Sequence, residues 1–366
     1  MPRISHWIVR RLSHLDGTLL LLVLLLLGIS LAVVASASGQ SPARITGHLV
    51  NIGLALGVMM LFANIPPHLL ARAGLPLYVA GVALLVAVAL FGEIRNGSRR
   101  WLNLGVIAFQ PSELLKLALP LMLAWYFQQH EAVLRAKHYA VAAVLLLVPF
   151  VLILRQPDLG TSLMIGASGF YLLFFAGLPW KVIAGGGALV AASLPLAWNL
   201  LHDYQQRRVL TLLDPGADPL GAGYHIIQST IAIGSGGLFG KGWTHGTQNQ
   251  LDFIPERTTD FVFAVFGEEF GLAGVVVLVA LYLALVARGL VISARAPTLF
   301  GRLMAATLSL NLFTYAFVNM GMVSGVLPVV GVPLPFMSYG GTALVTLMLG
   351  VGILMSVATH RQLNKT

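Results

Sequence analysis

Apolar residues gather in long uninterrupted blocks along this chain, and polar residues fall in the gaps between them. Ten blocks stand out, at about 17–37, 47–64, 75–93, 113–128, 138–154, 160–177, 180–200, 261–287, 299–322 and 340–359. Each is long enough to cross a hydrocarbon core of about 30 Å, some only with tilt. The strict alternation of a barrel strand is missing. The spans are therefore predicted as helices, which satisfy their backbone polar groups internally. The pattern predicts an all-α polytopic membrane protein with about ten transmembrane helices. It reads as a single membrane domain over 1–366, with one long extracytoplasmic loop, 201–260, between the seventh and eighth helices.

The N-terminus has the look of a signal peptide, with Arg3, Arg10 and Arg11 before a leucine run that ends at Ala35-Ser36-Ala37. That run exceeds the roughly 7–15 apolar residues of a signal sequence, so an uncleaved first helix is expected. Composition agrees with the pattern: 57% of residues are hydrophobic and 10% charged, against about 25% charged in a soluble domain. The chain has no cysteine, which excludes disulfides, thiolate metal sites and cysteine nucleophiles. The net charge of +9 reports loop bias and not nucleic-acid binding. With the N-terminus inside, the inner side carries 12 Lys and Arg, against 6 in the short outer loops, which places both termini in the cytoplasm. Eleven of the thirteen carboxylates then fall on the outer half, and chemistry is to be sought there.

The long outer loop contains YHIIQSTIAI at 224–233, a candidate short amphipathic helix at the membrane interface. The glycine run GSGGLFGKG at 234–242 reads as a flexible linker or a binding loop, and it lacks the ATP-binding pattern because Gly242 follows Lys241. No nucleotide motif occurs in the inner loops, so an enzyme working outside must receive an activated substrate. His202, His225 and His245 are irregularly spaced and predict no metal cluster. Room is left for a divalent cation, magnesium or manganese, held by carboxylates and a substrate diphosphate.

Four inward-running helices open with similar punctuation: Gln110-Pro111-Ser112-Glu113, Gln156-Pro157-Asp158-Leu159-Gly160, Thr258-Thr259-Asp260, and Pro335 to Gly341 with Ser338 inside it. Ser112, Asp158 and Asp260 are candidate N-caps. The same helix starts, together with Arg95, Arg99, Arg100, Lys116, Arg155, Arg207 and Arg208, also suit an anion such as a lipid diphosphate. Lys116 lies one turn inside an apolar helix, where charge is costly, and Glu113 at i−3 is its candidate partner. Asp260 directly precedes the apolar run 261–266, which raises a carboxyl pKa, while helix-terminal N–H groups lower it. Glu268 and Glu269, further along that helix, imply a polar interior, a proton or cation path, or a structural pair. Pro328, Pro333 and Pro335 preclude a regular helix in the apolar return segment 319–342, which is expected to be re-entrant or interfacial.

Arg100-Trp101-Leu102, QPSELLK at 110–116, QPDLGTS at 156–162, Thr259-Asp260-Phe261 with Glu268-Glu269-Phe270-Gly271, and NMGMVSGVLPVVGVPLPFMSYGGT at 319–342 resemble the SEDS family (shape, elongation, division and sporulation), its elongation branch most closely. Thr342 stands where serine is common, a mild departure. The resemblance implies a peptidoglycan glycosyltransferase of the bacterial cytoplasmic (inner) membrane, active on the periplasmic face during cell elongation. Its implied substrate is lipid II, an undecaprenyl-diphosphate-linked disaccharide pentapeptide, and its implied partner a class B penicillin-binding protein that cross-links the strands. The family's essential outer-loop aspartate falls on Asp260, the expected catalytic base. Arg100, Trp101, Gln110, Ser112, Glu113, Lys116, Asp158, Glu268 and Ser338 are the expected substrate-binding residues. Three other readings stay open: a lipid II transporter, a division paralogue, and a non-catalytic scaffold.

Overall fold

The computed structural model describes residues 15–95, 98–103, 108–156, 158–200, 203–217 and 221–360. Ten long helices correspond to the ten apolar blocks: α1 (Gly17–Ala37), α2 (Pro42–Ala63), α3 (Pro67–Phe91), α4 (Pro111–Gln129), α5 (Ala136–Leu154), α6 (Leu159–Phe175), α7 (Trp180–Leu200), α11 (Val262–Arg295), α12 (Leu299–Val323) and α13 (Gly341–Thr359). Seven of them are long and apolar enough to cross a membrane by those two criteria alone. Between α7 and α11 the loop forms α8 (Asp203–Leu213), α9 (Ala222–Ser235) and the single turn α10 (Thr247–Gln250).

Helix starts follow local chemistry. Proline occupies the first turn of α2, α3 and α4, where its missing N–H costs nothing. Asp16 caps α1 by accepting from Leu19 N at 2.9 Å, and Thr298 caps α12 by accepting from Gly301 N at 3.1 Å. Helices α2 and α3 begin earlier than the apolar blocks predict. The start of α2 carries Arg44, and the start of α3 carries His68 and Arg72, polar residues that an apolar-block reading leaves outside.

Helix α4 is the centre of the bundle, in contact with α3, α5, α6, α12 and α13. It faces protein and not lipid, which explains why it tolerates Glu113 and Lys116 and is less apolar than the outer helices. Helix α7 is the opposite case, with nearly every side chain exposed along its length. At one end of the bundle Arg288 pairs with Asp16 at 2.5 Å and Arg302 with Glu131 at 3.3 Å. Both acids assigned to the inner side are thus neutralised by arginines of that same end.

The sequence pattern did not predict a small sheet after α3. Strands β1 (Glu93–Arg95), β2 (Ser98–Asn103) and β3 (Ala108–Phe109) pair antiparallel in the order β1-β2-β3, with Leu102 opposite Phe109. The strands are too short to show a period. They lay β2 against α3 and α4.

The glycine run is neither a linker nor a phosphate loop. Helix α11 is broken at Gly271 (φ 65°, ψ −166°), and residues 234–242 seal the break. Lys241 N and Gly242 N donate to the carbonyls of Glu268 and Glu269 at 3.0 Å, and Leu272 N and Ala273 N donate to those of Gly237 and Leu238 at 2.9 Å. The two backbones touch so closely that a Cβ on Gly271 would lie 2.3 Å from Gly240 N. Glycine is required on both sides of that contact.

Candidate functional site

The starts of α2, α4, α6 and α11 and the end of α12 meet around the return segment between α12 and α13. Asn319, fully buried on α12, holds that meeting point. Its Nδ2 donates to the carbonyls of Asp260 at 2.9 Å and Val332 at 2.7 Å. Ser338 Oγ donates to Thr259 O at 2.7 Å, and Tyr339 N donates to Thr258 O at 2.8 Å. The return segment is therefore stitched to the three residues that end at Asp260. It is an ordered apolar insert, with Val332, Leu334, Phe336 and Met337 buried, as the proline pattern predicts.

Asp260 does not cap α11. The cap position is Phe261, and the Asp260 carboxylate makes no hydrogen bond among the described residues. It is partly buried, and the backbone of Gly331 sits against it, a Cβ there falling 3.4 Å from Asp260 Oδ2. Burial pushes its pKa up to about 6, and the neighbouring Glu256 carboxylate adds to the shift by like-charge repulsion. Of the two opposing influences on this residue, burial wins because no helix N–H is spent on it. His225 of α9 stacks on Phe261, ring centroids 5.4 Å apart, and burial holds its imidazole below the usual range.

A second group forms where α4 and α6 begin. Asp158 is the true N-cap of α6, accepting from Thr161 N at 3.1 Å. Its other oxygen accepts from Gln110 Nε2 at 3.3 Å and faces Arg100 Nη1 at 3.7 Å. Arg100 Nε also donates to Gln156 O at 3.4 Å. Ser112 is buried in the first turn of α4 but is not its cap, which is Gln110. Trp101 is half-buried on β2. The side chains of Arg95 and Arg99 lie outside the described residues. This group borders the first one: a Cβ on Gly160 would lie 2.7 Å from Val330 O, one residue from the Gly331 that faces Asp260.

Deeper in the bundle Lys116 Nζ donates to Glu113 Oε1 at 2.5 Å and stands 5.5 Å from the centre of the Tyr315 ring. Both charges line a narrow, partly open cleft that runs between α4, α6, α12 and α13. Its charged residues occupy one end, and Leu308, Leu347, Val351 and Leu354 line the rest. A cleft with one charged end and an apolar shaft has the shape of an amphiphile with an anionic head.

Glu268 does not join either group. It is fully buried and saturated: Lys241 Nζ donates to it at 2.7 Å, Thr247 Oγ1 at 3.1 Å and Gln248 N at 3.0 Å. Glu269 is equally buried and accepts from Ser36 Oγ of α1. Such a carboxylate has no free face for a substrate, and a proton path is not needed to explain it. Among the described residues no three His, Asp or Glu side chains converge as a metal-binding group. Sequence reasoning named Asn319 and Thr258 only as parts of motifs and missed Arg44. An amide deep inside an apolar span was the signal available for the first.

The FtsW/RodA/SpoVE family of cell cycle proteins matches residues 17–363. The peptidoglycan glycosyltransferase MrdB of Escherichia coli (strain K12) is 54% identical over 351 residues, 96% of this chain and 95% of its own. The probable peptidoglycan glycosyltransferase FtsW of Geobacter metallireducens is 40% identical over 281 residues, 76% of this chain and 74% of its own. Among solved structures, one reported under structural coordination of polymerization and crosslinking by a peptidoglycan synthase complex matches with a TM-score of 0.81 at 37% identity, covering 94% of this chain and 97% of that one. The crystal structure of the Thermus thermophilus rod shape determining protein RodA matches with a TM-score of 0.72 at 31% identity, covering 95% and 98%. With motifs, fold and relatives in agreement, this integral membrane protein belongs to the FtsW/RodA/SpoVE family, the SEDS proteins its motifs resemble.

Proposed function

We infer that the chain is a peptidoglycan glycosyltransferase, and we propose that it polymerises lipid II on the outer face of the cytoplasmic membrane with Asp260 as general base. One observation carries the assignment: Asp260 is a carboxylate with no hydrogen-bond partner among the described residues, held by its backbone at the mouth of the bundle, with a pKa of about 6. A general base needs a pKa near the working pH and an unoccupied oxygen. Asp260 takes the proton from the sugar 4-hydroxyl of one lipid-linked chain as that oxygen attacks the anomeric carbon of the other. The new C–O bond forms as the bond to the diphosphate breaks, and the diphosphate leaves with the electron pair. A single displacement of this kind inverts the anomeric centre.

Lys116 and Arg100 bind or orient the anionic head, and the apolar shaft below Glu113 and Lys116 takes part of the isoprenoid tail. Ser338 positions Asp260 through its bond to Thr259 O. Glu268 serves the architecture of the α11 break. Its saturation also removes one feature that favoured a transporter, a pair of free intramembrane carboxylates.

Among the described residues Glu256 is the one carboxylate acting on Asp260, a donor set that does not fit a resident divalent cation. No step is routed through magnesium or manganese, and a cation carried in on the diphosphate is the remaining form of that expectation. The partner proposed is a class B penicillin-binding protein, and both termini are proposed to be cytoplasmic, on the charge bias of the loops. The test is polymerisation of labelled lipid II by the purified protein with that partner. Full activity in Asp260→Ala would refute the role of the aspartate, and lipid scrambling without polymer would favour transport.

A further inference from the structure

Four cations of the outer face are each matched to a carboxylate. Arg100 faces Asp158, Lys116 holds Glu113, Lys241 holds Glu268, and Arg257 holds Asp252. Arg257 is further committed to the carbonyls of Ala37 and Asn249. Arg44, in the first turn of α2, differs. Its Nη1 donates to Thr258 Oγ1 at 3.0 Å, and it has no carboxylate partner among the described residues. The residue is otherwise exposed, while Thr258 is buried and lies two positions before Asp260. A buried threonine thus pins one N–H of an arginine that has five, and leaves a fork suited to phosphate oxygens facing outward.

This turn is fixed in place. A Cβ on Gly47 would lie 2.9 Å from the Tyr339 hydroxyl, so α2 abuts the end of the return segment. The charge is also uncompensated. Burial and the Arg44 guanidinium together hold Arg257 below the usual arginine range, a repulsion that an anion beside Arg44 would relieve.

The return segment separates two sets of cations. Its Val330–Val332 stretch packs on Gly160, on the side of Asp158, Arg100 and Lys116. Its Tyr339 end packs on Gly47 and Thr258, on the side of Arg44. Asp260 lies between them. Joining two lipid-linked chains brings two diphosphates to one aspartate, and a single phosphate site cannot hold both.

We propose that Arg44, tethered by Thr258, is the phosphate-binding residue of a second polyprenyl-diphosphate subsite, across the return segment from the one at Lys116 and Arg100. The inference rests on the glycosyltransferase reading, which supplies the need for two lipid diphosphates.

Binding of farnesyl diphosphate, farnesyl monophosphate and farnesol to the purified full-length chain tests it, with stoichiometry read by native mass spectrometry. Two equivalents of farnesyl diphosphate are expected for the unmodified protein and one for Arg44→Ala. The weakened site should lose affinity by on the order of tenfold or more, as expected for a lost charge-assisted bond. Arg44→Lys should restore most of it, and Thr258→Val should weaken the same site with the charge intact. In polymerisation, Arg44→Ala should raise KM and leave the acid limb of the rate near pH 6 in place. Two undiminished equivalents in Arg44→Ala, or one equivalent that only Lys116→Met removes, would overturn the subsite. An Arg44-dependent second equivalent in a protein that makes no polymer would sink the glycosyltransferase reading and leave the subsite standing.

Discussion

Asn319 holds Asp260 by its backbone and leaves its carboxylate alone. The amide donates to Asp260 O at 2.9 Å, and its own Oδ1 is buried without a partner. Asn319→Ala therefore removes two hydrogen bonds and one orphaned acceptor. Each bond is worth about 1 kcal/mol net, more if a carbonyl is left buried and bare. The expected outcome is a fall of a few degrees in the melting temperature of the detergent-purified protein, with a larger fall in kcat than in substrate affinity. Unchanged kcat would show that the Asp260 backbone is held by the return segment alone.

The pKa of Asp260 sets a pH signature. A base must be ionised to accept a proton, so kcat/KM should fall about tenfold per unit below pH 6 and reach a plateau above it. Glu256→Gln removes the like charge and should move that limb to lower pH. Stability runs the other way. The folded pKa lies above the ordinary value of 3.8, so the folded state binds more protons between the two, and stability falls as pH rises through that window. Asp260→Asn is therefore expected to be inactive and more stable than the unmodified chain at neutral pH, by on the order of 1–2 kcal/mol after allowing for partial exposure. Equal melting temperatures at pH 7, measured side by side, would contradict the burial of that charge.

How much of this was legible in the residues varies by element. The ten helices followed from apolar blocks because lipid demands them, and Lys116 with Glu113 followed from helix spacing. The three strands at 93–109 did not, because two to six residues show no period. The surroundings of Glu268 were not legible for a different reason. Its partners, Lys241 and the start of α10, arrive from a loop twenty or more residues earlier, and no local pattern predicts that a glycine run will fold back on a broken helix. Asp260 stood out as a candidate, but its freedom from capping was not legible, since the same residue in the same position is a good N-cap on paper.

Glu268, fully buried, and Lys241, partly exposed, form a pair whose disruption should be structural. Glu268→Gln removes the counter-charge of the ammonium group and weakens the start of α10, at a cost of about 1–3 kcal/mol. Low yield of folded protein is expected, with near-normal kcat/KM in the fraction that folds. A thermal-shift cycle with Lys241→Met should show strong coupling between the two positions. A well-folded Glu268→Gln protein that cannot bind lipid II would restore Glu268 to the substrate site.

Gly160 offers a steric test of the contact between the two groups. A methyl there would meet Val330 O at 2.7 Å, closer than a carbonyl oxygen tolerates. Gly160→Ala must push residues 330–332 away from α6 and shift the backbone that faces Asp260. A misplacement on the order of 1 Å is enough to cost about a hundredfold in rate. Gly166, further along α6, faces the ring of Phe150 at 3.2 Å. Gly166→Ala perturbs the same helix away from the site and should leave kcat within about threefold, in line with the usual tolerance for small volume changes that neighbours absorb. Equal loss in both variants would mean that α6 packing as a whole, and not the return segment, sets the rate.

Glu113 and Lys116 pose the question of whether a buried pair is there for the fold or for the substrate. Single substitutions answer poorly, because each leaves an unpaired charge inside the bundle. The double change Glu113→Gln with Lys116→Met removes both charges with little change in volume and keeps the cleft open. A purely structural pair would leave the double variant folded and active, as stable as before or more so. A phosphate-binding lysine held ready by its glutamate gives a different result: a folded protein whose KM for lipid II rises by on the order of tenfold or more, with weaker binding of farnesyl diphosphate and unchanged binding of farnesol. The second outcome is expected, because the pair stands at the one charged end of an apolar cleft and Glu113 Oε2 is left without a partner there. Binding that follows the isoprenoid alone, with no diphosphate dependence in either protein, would assign the pair to packing.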